Sequence, residues 1–177
     1  MLTEKLISFP ELTTERLTLR QLMESDVQEI FFLRSDKLIN KFNNRIKCKT
    51  LDDALDFIRN TNESIKNNEL VYWAITETGK ENLIGIICIF SFSEVQNKCE
   101  IGFELLPEYQ GQGIMNEAII EIIEYTFQTI GLKRIDAFIH KENLNSIKFV
   151  QKYNFVKTDY IDKTNPDLFL FQFVKPK

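Results

Sequence analysis

The chain has 177 residues, 44% of them hydrophobic and 27% charged, and a formal net charge of −4 at pH 7. This length suits one domain with a substantial core. The small acidic balance argues against a protein that binds nucleic acid through a basic surface.

The cysteine spacing and the short apolar runs argue against metal-binding, disulfide-rich, membrane-spanning and secreted proteins. Cys48, Cys88 and Cys99 form no CxxC pair, so the sequence predicts neither a metal site nor a disulfide framework. No apolar run has the length of a membrane helix, and none follows the first residues in the manner of a signal peptide. We therefore expect a cytoplasmic protein without a membrane partner.

The first half of the chain predicts one strand, two helices and three more strands. Leucines alternate with polar residues over 16–22, which is typical of a half-buried strand. A helix is expected after Ser25-Asp26, and Thr50 with Asp53 is close to the capping box that begins a second helix. Strands follow at 71–76, 83–92 and 99–106, and their short turns predict an antiparallel meander.

Residues 35–49 have no clean periodicity and contain five basic residues, Lys37, Lys41, Arg45, Lys47 and Lys49. A solvated loop is the simplest interpretation. The functional alternative is a segment that faces the substrate, because loops often determine specificity.

The second half predicts two helices among three strands. Apolar residues at helical spacing run from Met115 to Ile130, and Gly131 is placed as a C-terminal cap. A strand at 134–140, a helix from about Asn143 and strands at 156–160 and 168–174 follow. The order β-α-α-β-β-β-α-β-α-β-β indicates an α/β or α+β domain with three layers and one mixed sheet.

A loop with two glycines joins the strand at 101–106 to the longest predicted helix of the second half. Gly111 and Gly113 let the backbone adopt positive φ or approach a phosphate closely. The free N–H groups of the first helical turn and the helix dipole form an anion site. A tight strand-to-helix turn is the plainer alternative. Neither a Walker loop nor a G-x-G-x-x-G dinucleotide motif is present.

The string Gln110-Gly111-Gln112-Gly113-Ile114-Met115 resembles the Gln/Arg-x-x-Gly-x-Gly/Ala signature of the GCN5-related N-acetyltransferase (GNAT) family. Residues 107–113, followed by Glu117-Ala118, are most similar to the branch that contains ribosomal-protein N-terminal (alanine/serine) acetyltransferases, and residues 13–20 resemble a strand of that branch. Met115 departs from the signature, because the family usually has Gly or Ala there.

This resemblance implies the acyl-CoA N-acyltransferase fold, a three-layer α/β/α arrangement around one mixed, mostly antiparallel seven-stranded sheet. Residues 1–177 are then expected to form a single N-acetyltransferase domain. Homodimers are common in the resembling branch, and no feature of this sequence establishes one.

The resemblance also implies acetyl-CoA as co-substrate, with no metal. The pyrophosphate would be held by the loop, through Gln110, Gly111, Gln112, Gly113, Ile114, Met115 and Asn116. The thioester carbonyl would accept a hydrogen bond from the backbone N–H of Leu105. Asn143 matches a residue that contacts the cofactor arm, and a helix N-cap is its equally good alternative.

For proton transfer, Glu104 is the leading base and Ser146 the leading acid. Glu104 lies beside the expected acetyl site, while Glu100, His140 or a water chain are alternatives, as is an exposed polar strand face. Many family members protonate the thiolate with a Tyr where this chain has Val150, and Ser146 matches the residue given that role in the resembling branch. A hydroxyl bonded to helix backbone is the structural alternative for Ser146.

The resulting hypothesis is an N-acetyltransferase in which a neutral primary amine attacks the thioester directly. The amine would belong to a protein N-terminus or a small molecule. Two rivals remain: an acetyl-CoA-binding sensor without turnover, favoured by Met115 and Val150, and a structural module whose glycine loop is only a turn.

Overall fold

Eight strands form one sheet in the order β1-β2-β3-β4-β5-β6-β8-β7. The structure is a computed structural model and describes residues 9–176. The strands are β1 (Leu12–Thr13), β2 (Leu17–Gln21), β3 (Leu70–Glu77), β4 (Gly85–Ser93), β5 (Lys98–Leu105), β6 (Arg134–His140), β7 (Val156–Ile161) and β8 (Leu168–Val174). The helices are α1 (Val27–Ser35), α2 (Leu51–Lys66), α3 (Ile114–Glu124) and α4 (Leu144–Lys152).

All seven predicted strands are present, and β1 is the one strand that was not predicted from the sequence. This strand has two residues, and Leu12 pairs with Leu19 at the sheet edge. A pair of residues is too short to show the alternation that identifies a strand, so the seven-strand prediction was one short.

Among the strands formed by residues 9–176, only one pair of neighbours is parallel. Lys98, Cys99 and Glu100 of β5 pair with residues 134, 135 and 136 of β6. The recorded pairing stops there, although β5 continues to Leu105. The two strands therefore diverge toward their carboxyl ends and leave a gap in the sheet. The other pairs are antiparallel, which confirms the mostly antiparallel sheet.

Successive side chains of the central strands enter two different cores, because they point to opposite faces of the sheet. Trp73 and Ile87 pack in the core that contains α3 and α4 residues. Tyr72 and Ile86 pack in the core that contains α1 and α2 residues. This arrangement confirms the three-layer fold.

The helix after the glycine loop changes its winding before it ends. Regular α3 stops at Glu124, and Tyr125–Ile130 forms a wider π turn. Gly131 then adopts a φ of 84° and ends the helix, as its position in the sequence predicted. Phe127 and Ile130 remain buried, so the apolar spacing did not reveal the wider turn.

The sequence predicted neither a membrane helix nor a metal site. Within residues 9–176, no helix is long and apolar enough to cross a membrane. The same residues contain no group of three or more His, Cys, Asp or Glu side chains arranged to hold a metal ion.

Candidate active site

The glycine loop has the backbone geometry that an anion site requires. Gly111 and Gly113 have φ values of 74° and 79°, in the left-handed region that favours glycine. Gly113 is the N-cap of α3, and the first helical bond runs from the Glu117 N–H to the Gly113 carbonyl at 3.2 Å. The N–H groups of residues 114–116 therefore have no partner inside the helix and are available to an anion.

Met115 does not obstruct these amides. Its side chain is only 8% exposed and packs in the core beneath α3 together with Ile119. The departure from the family signature thus places a larger apolar group in the core, and leaves the backbone N–H at the surface of the helix terminus.

A hydrogen-bond network that the sequence did not reveal braces the loop and the first turn of α3 against the turn between β1 and β2. Glu117 Oε1 accepts from the Arg16 backbone N–H at 2.8 Å and from the Thr14 hydroxyl, and Oε2 accepts from Arg16 Nε at 2.8 Å. Arg16 also reaches the Gln112 carbonyl at 3.3 Å. Burial alone would raise the pKa of Glu117, but these hydrogen bonds lower it below the usual carboxyl value.

The Leu105 backbone N–H faces the gap between β5 and β6. Its neighbour Leu106 donates to the carbonyl of Ile84, the residue just before β4, at 3.0 Å. Because hydrogen bonds alternate sides along an antiparallel strand, Leu105 points its N–H away from β4. Gln110 Nε2 donates to the Leu105 carbonyl at 3.2 Å and so ties the glycine loop to this strand end.

Helix α4 packs beside the gap, on the same face of the sheet as α3. Phe149 of α4 makes an edge contact with Phe103 of β5, with ring centroids 5.0 Å apart. Ser146 lies three residues before Phe149, on the same helix face, and Leu105 lies two residues after Phe103, on the same strand face. The packing therefore brings Ser146 and Leu105 to the same region.

Asn143 is the N-cap of α4, as one of its two interpretations predicted. Its Oδ1 accepts from the Ser146 N–H at 3.3 Å. The cap uses only the carbonyl oxygen, so the amide nitrogen can still donate to a cofactor.

The other departure from the family sequence also has a structural explanation. Val150 is completely buried in the core and has no polar atom to contribute. Nearby, Asn154 adopts a φ of 64°, a conformation that asparagine tolerates better than most residues.

Glu104 projects from the opposite face of β5 and is held by two side chains of the 36–49 loop. Arg45 contacts both carboxylate oxygens, with Nη1 2.7 Å from Oε1 and Nη2 3.1 Å from Oε2. Asn43 Nδ2 donates to Oε1 at 2.9 Å. Burial raises the pKa of Glu104 above the usual value, and the charge of Arg45 opposes this without cancelling it.

The two alternative bases have different surroundings. Glu100 is on the same strand face as Glu104, and burial raises its pKa as well. His140 stacks on Phe42, with ring centroids 5.2 Å apart, and its Nδ1 accepts from the Glu142 N–H at 3.2 Å. His140 thus has a clear structural role at the end of β6.

The 36–49 loop spans the gap, because it contacts the ends of both diverging strands. Asn43 and Arg45 bind Glu104 of β5, and Phe42 stacks on His140 of β6. The position of the loop agrees with the prediction of a substrate-facing segment, but these individual contacts were not predicted. A basic residue within a loop gives no indication of which distant carboxylate it will pair with.

A groove of about 480 Å³ lies elsewhere, between the far end of α3 and the end of α4. Ile120, Phe127, Tyr153 and Phe173 line it together with Lys152 and Lys175. None of the predicted site residues belongs to this groove, so it is separate from the gap between β5 and β6.

A mixed sheet that diverges beside a glycine loop at a helix terminus is the arrangement expected of an acyl-CoA-dependent acyltransferase. Residues 16–156 match the acetyltransferase (GNAT) domain family. The chain therefore belongs to this family, as the loop signature predicted. It is an acetyltransferase, and its acyl donor is acetyl-CoA.

Individual relatives agree with this assignment. The chain is 27% identical over 175 residues to the uncharacterized N-acetyltransferase YoaA of Bacillus subtilis, covering 96% of this chain and 99% of YoaA. A candidate ribosomal-protein-serine acetyltransferase from Vibrio cholerae has a similar structure, with a TM-score of 0.75, 19% identity and coverage of 94% and 98%.

A second solved structure carries ligands. Spermidine N-acetyltransferase from Vibrio cholerae, in complex with CoA and spermine, has a TM-score of 0.78 and 20% identity, with coverage of 91% of this chain and 96% of that one. At this identity the similarity establishes the shared fold.

Proposed function

We propose that the protein acetylates a primary amine, of a protein N-terminus or a small molecule, by direct attack on the thioester of acetyl-CoA. One observation carries this proposal: the Leu105 N–H points away from β4 at the end of β5, Gln110 ties the glycine loop to this strand end, and Glu104 directly precedes Leu105. We further propose that it works in the cytoplasm, and a homodimer remains a prediction.

The donor would bind on the face formed by α3 and α4. The N–H groups of residues 112–116 are proposed to hold the pyrophosphate, because a helix N-terminus combines unpaired donors with a favourable dipole. The Asn143 amide is proposed to contact the pantetheine arm. Gln110 would orient the loop through its bond to the Leu105 carbonyl.

The Leu105 N–H is proposed to donate to the thioester carbonyl. This oxygen gains negative charge as the amine nitrogen attacks the carbonyl carbon, so the hydrogen bond strengthens toward the transition state. The attack forms the C–N bond, and collapse of the tetrahedral intermediate breaks the C–S bond and releases the CoA thiolate.

Glu104 is proposed to accept the proton that the amine loses. A carboxylate offers about four acceptor sites, and Arg45 and Asn43 use three of them. Burial raises the pKa of Glu104, which brings it closer to neutral pH, where a general base is most effective.

Ser146 is proposed to protonate the departing thiolate, with its own proton replaced from solvent. Its hydroxyl lies in the first turn of α4, and it makes no recorded hydrogen bond within residues 9–176. The silent-sensor alternative depends mainly on Val150, since the buried Met115 side chain no longer argues for it.

The first test is a thermal melt with and without acetyl-CoA, with NADH as the control ligand. Acetyl-CoA at 100 times its Kd should stabilise the fold by about 2.7 kcal/mol, and NADH should not. Thiol release on an amine panel then tests turnover. Stabilisation without thiol release on any amine would favour the sensor, and no stabilisation would contradict the proposal.

A further inference from the structure

The charges of this chain are strongly segregated. The 36–49 loop contains five basic residues and one acidic residue, so this short segment has a net charge of +4. Because the whole chain has 22 basic and 26 acidic residues, the remainder has 17 and 25 and a net charge of −8. The most basic segment of an acidic protein therefore lies at the gap between β5 and β6.

Several bonds fix the 36–49 loop in this position. Asn40 is buried, and its Nδ2 donates to the Leu33 carbonyl at 2.8 Å. Arg45 donates to Asn40 Oδ1 at 2.8 Å and to the Leu33 carbonyl at 3.0 Å, in addition to its pair with Glu104. The loop is thus attached both to the end of α1 and to β5.

Three acidic groups at or near the loop, those of Asp36, Glu104 and Asp53, already have hydrogen-bond or ion-pair partners. Asp36 Oδ1 accepts from the N–H groups of Leu38 and Ile39. Glu104 is paired with Arg45, and Asp53 Oδ2 accepts from the backbone N–H groups of Lys49 and Thr50. Three exposed lysines, Lys37, Lys41 and Lys47, have no ion pair within the described residues.

The same segment exposes two large apolar side chains. Leu38 is 82% exposed and Ile46 is 90% exposed, and both lie next to a lysine in the chain. Lysines beside exposed aliphatic groups match a partner that combines carboxylates with apolar side chains. A polypeptide meets this description over the length of the loop, whereas a small amine would contact only part of it.

We propose that the acceptor is the N-terminal segment of an acidic polypeptide, whose carboxylates contact the lysines of the 36–49 loop while its α-amine enters the gap. This inference rests on the proposed function and specifies its acceptor. The basic loop repels a polycation, so this chain should differ in acceptor from the structural neighbour that binds spermine.

The test measures the binding of three fluorescent octapeptides to the CoA-loaded protein by anisotropy. All begin with Ser, and the following residues are rich in Asp and Glu, in Asn and Gln, or in Lys. We expect the acidic peptide to bind about tenfold more tightly than the neutral one, with an affinity that falls as salt increases. The lysine-rich peptide should bind most weakly.

Matched charge reversals locate the contact. Lys47→Glu should weaken the acidic peptide about fivefold or more and leave the neutral peptide nearly unchanged. Lys133→Glu makes the same charge change at an exposed site before the start of β6, about 20 Å of strand from His140. It should leave all three affinities within about twofold, and Ile46→Ser should weaken the acidic peptide without altering its salt dependence.

The outcomes separate this inference from the proposed function. Equal binding of the three peptides would overturn the acidic acceptor, whether or not thiol release is seen. Displacement of the acidic peptide by spermidine would replace the polypeptide with a small amine. Failure of acetyl-CoA to stabilise the fold would instead contradict the proposed function.

Discussion

Arg45 and Glu104 join the 36–49 loop to the strand that carries the proposed acyl site, through contacts of 2.7 Å and 3.1 Å. The two side chains are 23% and 13% exposed, so the pair is largely shielded from solvent. Its geometry is bidentate, which fixes the orientation of the loop as well as its distance from the strand. The pair would therefore link the proposed acceptor loop to the proposed acyl site.

Removal of Arg45 should destabilise the protein, because it leaves a buried carboxylate unpaired. Arg45→Met is expected to lower the free energy of unfolding by about 2–4 kcal/mol in urea denaturation. The double variant Arg45→Met/Glu104→Gln should lose less than the sum of the single variants. The exposed pair of Arg59 and Glu24 is the control, and Arg59→Met should leave the unfolding free energy unchanged within error. Additive losses at the buried pair would contradict this coupling.

The pH dependence of the rate tests Glu104 as the base. Because burial raises its pKa, the active carboxylate forms only as pH rises through that raised pKa, so kcat/KM should increase with pH to a plateau. Glu104→Gln should lower kcat and remove this limb, since the amide cannot accept the proton. Glu100→Gln should retain it. An unchanged profile in Glu104→Gln would exclude the base assignment.

The two loop glycines are expected to affect cofactor binding more than stability. Gly111→Ala and Gly113→Ala force alanine into the left-handed region, at a cost of about 1–2 kcal/mol each. Gly79 has a φ of 78° with open space around it, so Gly79→Ala is a strain-matched control in the β3–β4 turn. All three should lose similar stability, but only the loop variants should raise KM for acetyl-CoA. A similar KM increase in Gly79→Ala would contradict the phosphate role.

Ser146→Ala should lower kcat with little change in KM for acetyl-CoA, because the hydroxyl is needed only when the thiolate leaves. Its exposed neighbour Asn145 provides the control variant Asn145→Ala. Restoring the family Tyr by Val150→Tyr should not rescue the loss, since a ring in this fully buried position costs about 1–3 kcal/mol. Full activity in Ser146→Ala would assign protonation to water.

The brace around Glu117 gives a second pH-dependent effect. Its folded-state pKa is lowered, so its carboxylate stabilises the fold above the unfolded pKa, and this contribution is lost as pH falls through the folded value. Glu117→Gln should therefore be less stable than the natural protein at neutral pH, and the difference should shrink in acid. A difference that is constant with pH would argue for packing alone.

Local patterns were sufficient to predict most of the fold. Alternation and capping residues located seven strands and four helices, and the left-handed positions of Gly113 and Gly131 followed from residue type. The contacts between Glu104 and Arg45, 59 residues apart, and between Glu117 and Thr14, 103 residues apart, left no local trace. They depend on which strands become neighbours, and a single sequence does not encode that in its periodicity.

The chirality of one connection has a mechanistic consequence. The segment from β5 through α3 to β6 is the only crossover between parallel neighbours within the described residues. Such crossovers are right-handed almost without exception, and this fixes the face on which α3 lies. The proposed donor site therefore lies on the α3 face, whereas the 36–49 loop joins α1 and α2, which pack on the other face. The two substrates would approach from opposite faces of the sheet and meet at the gap between β5 and β6. The second substrate could therefore bind while the first is still bound.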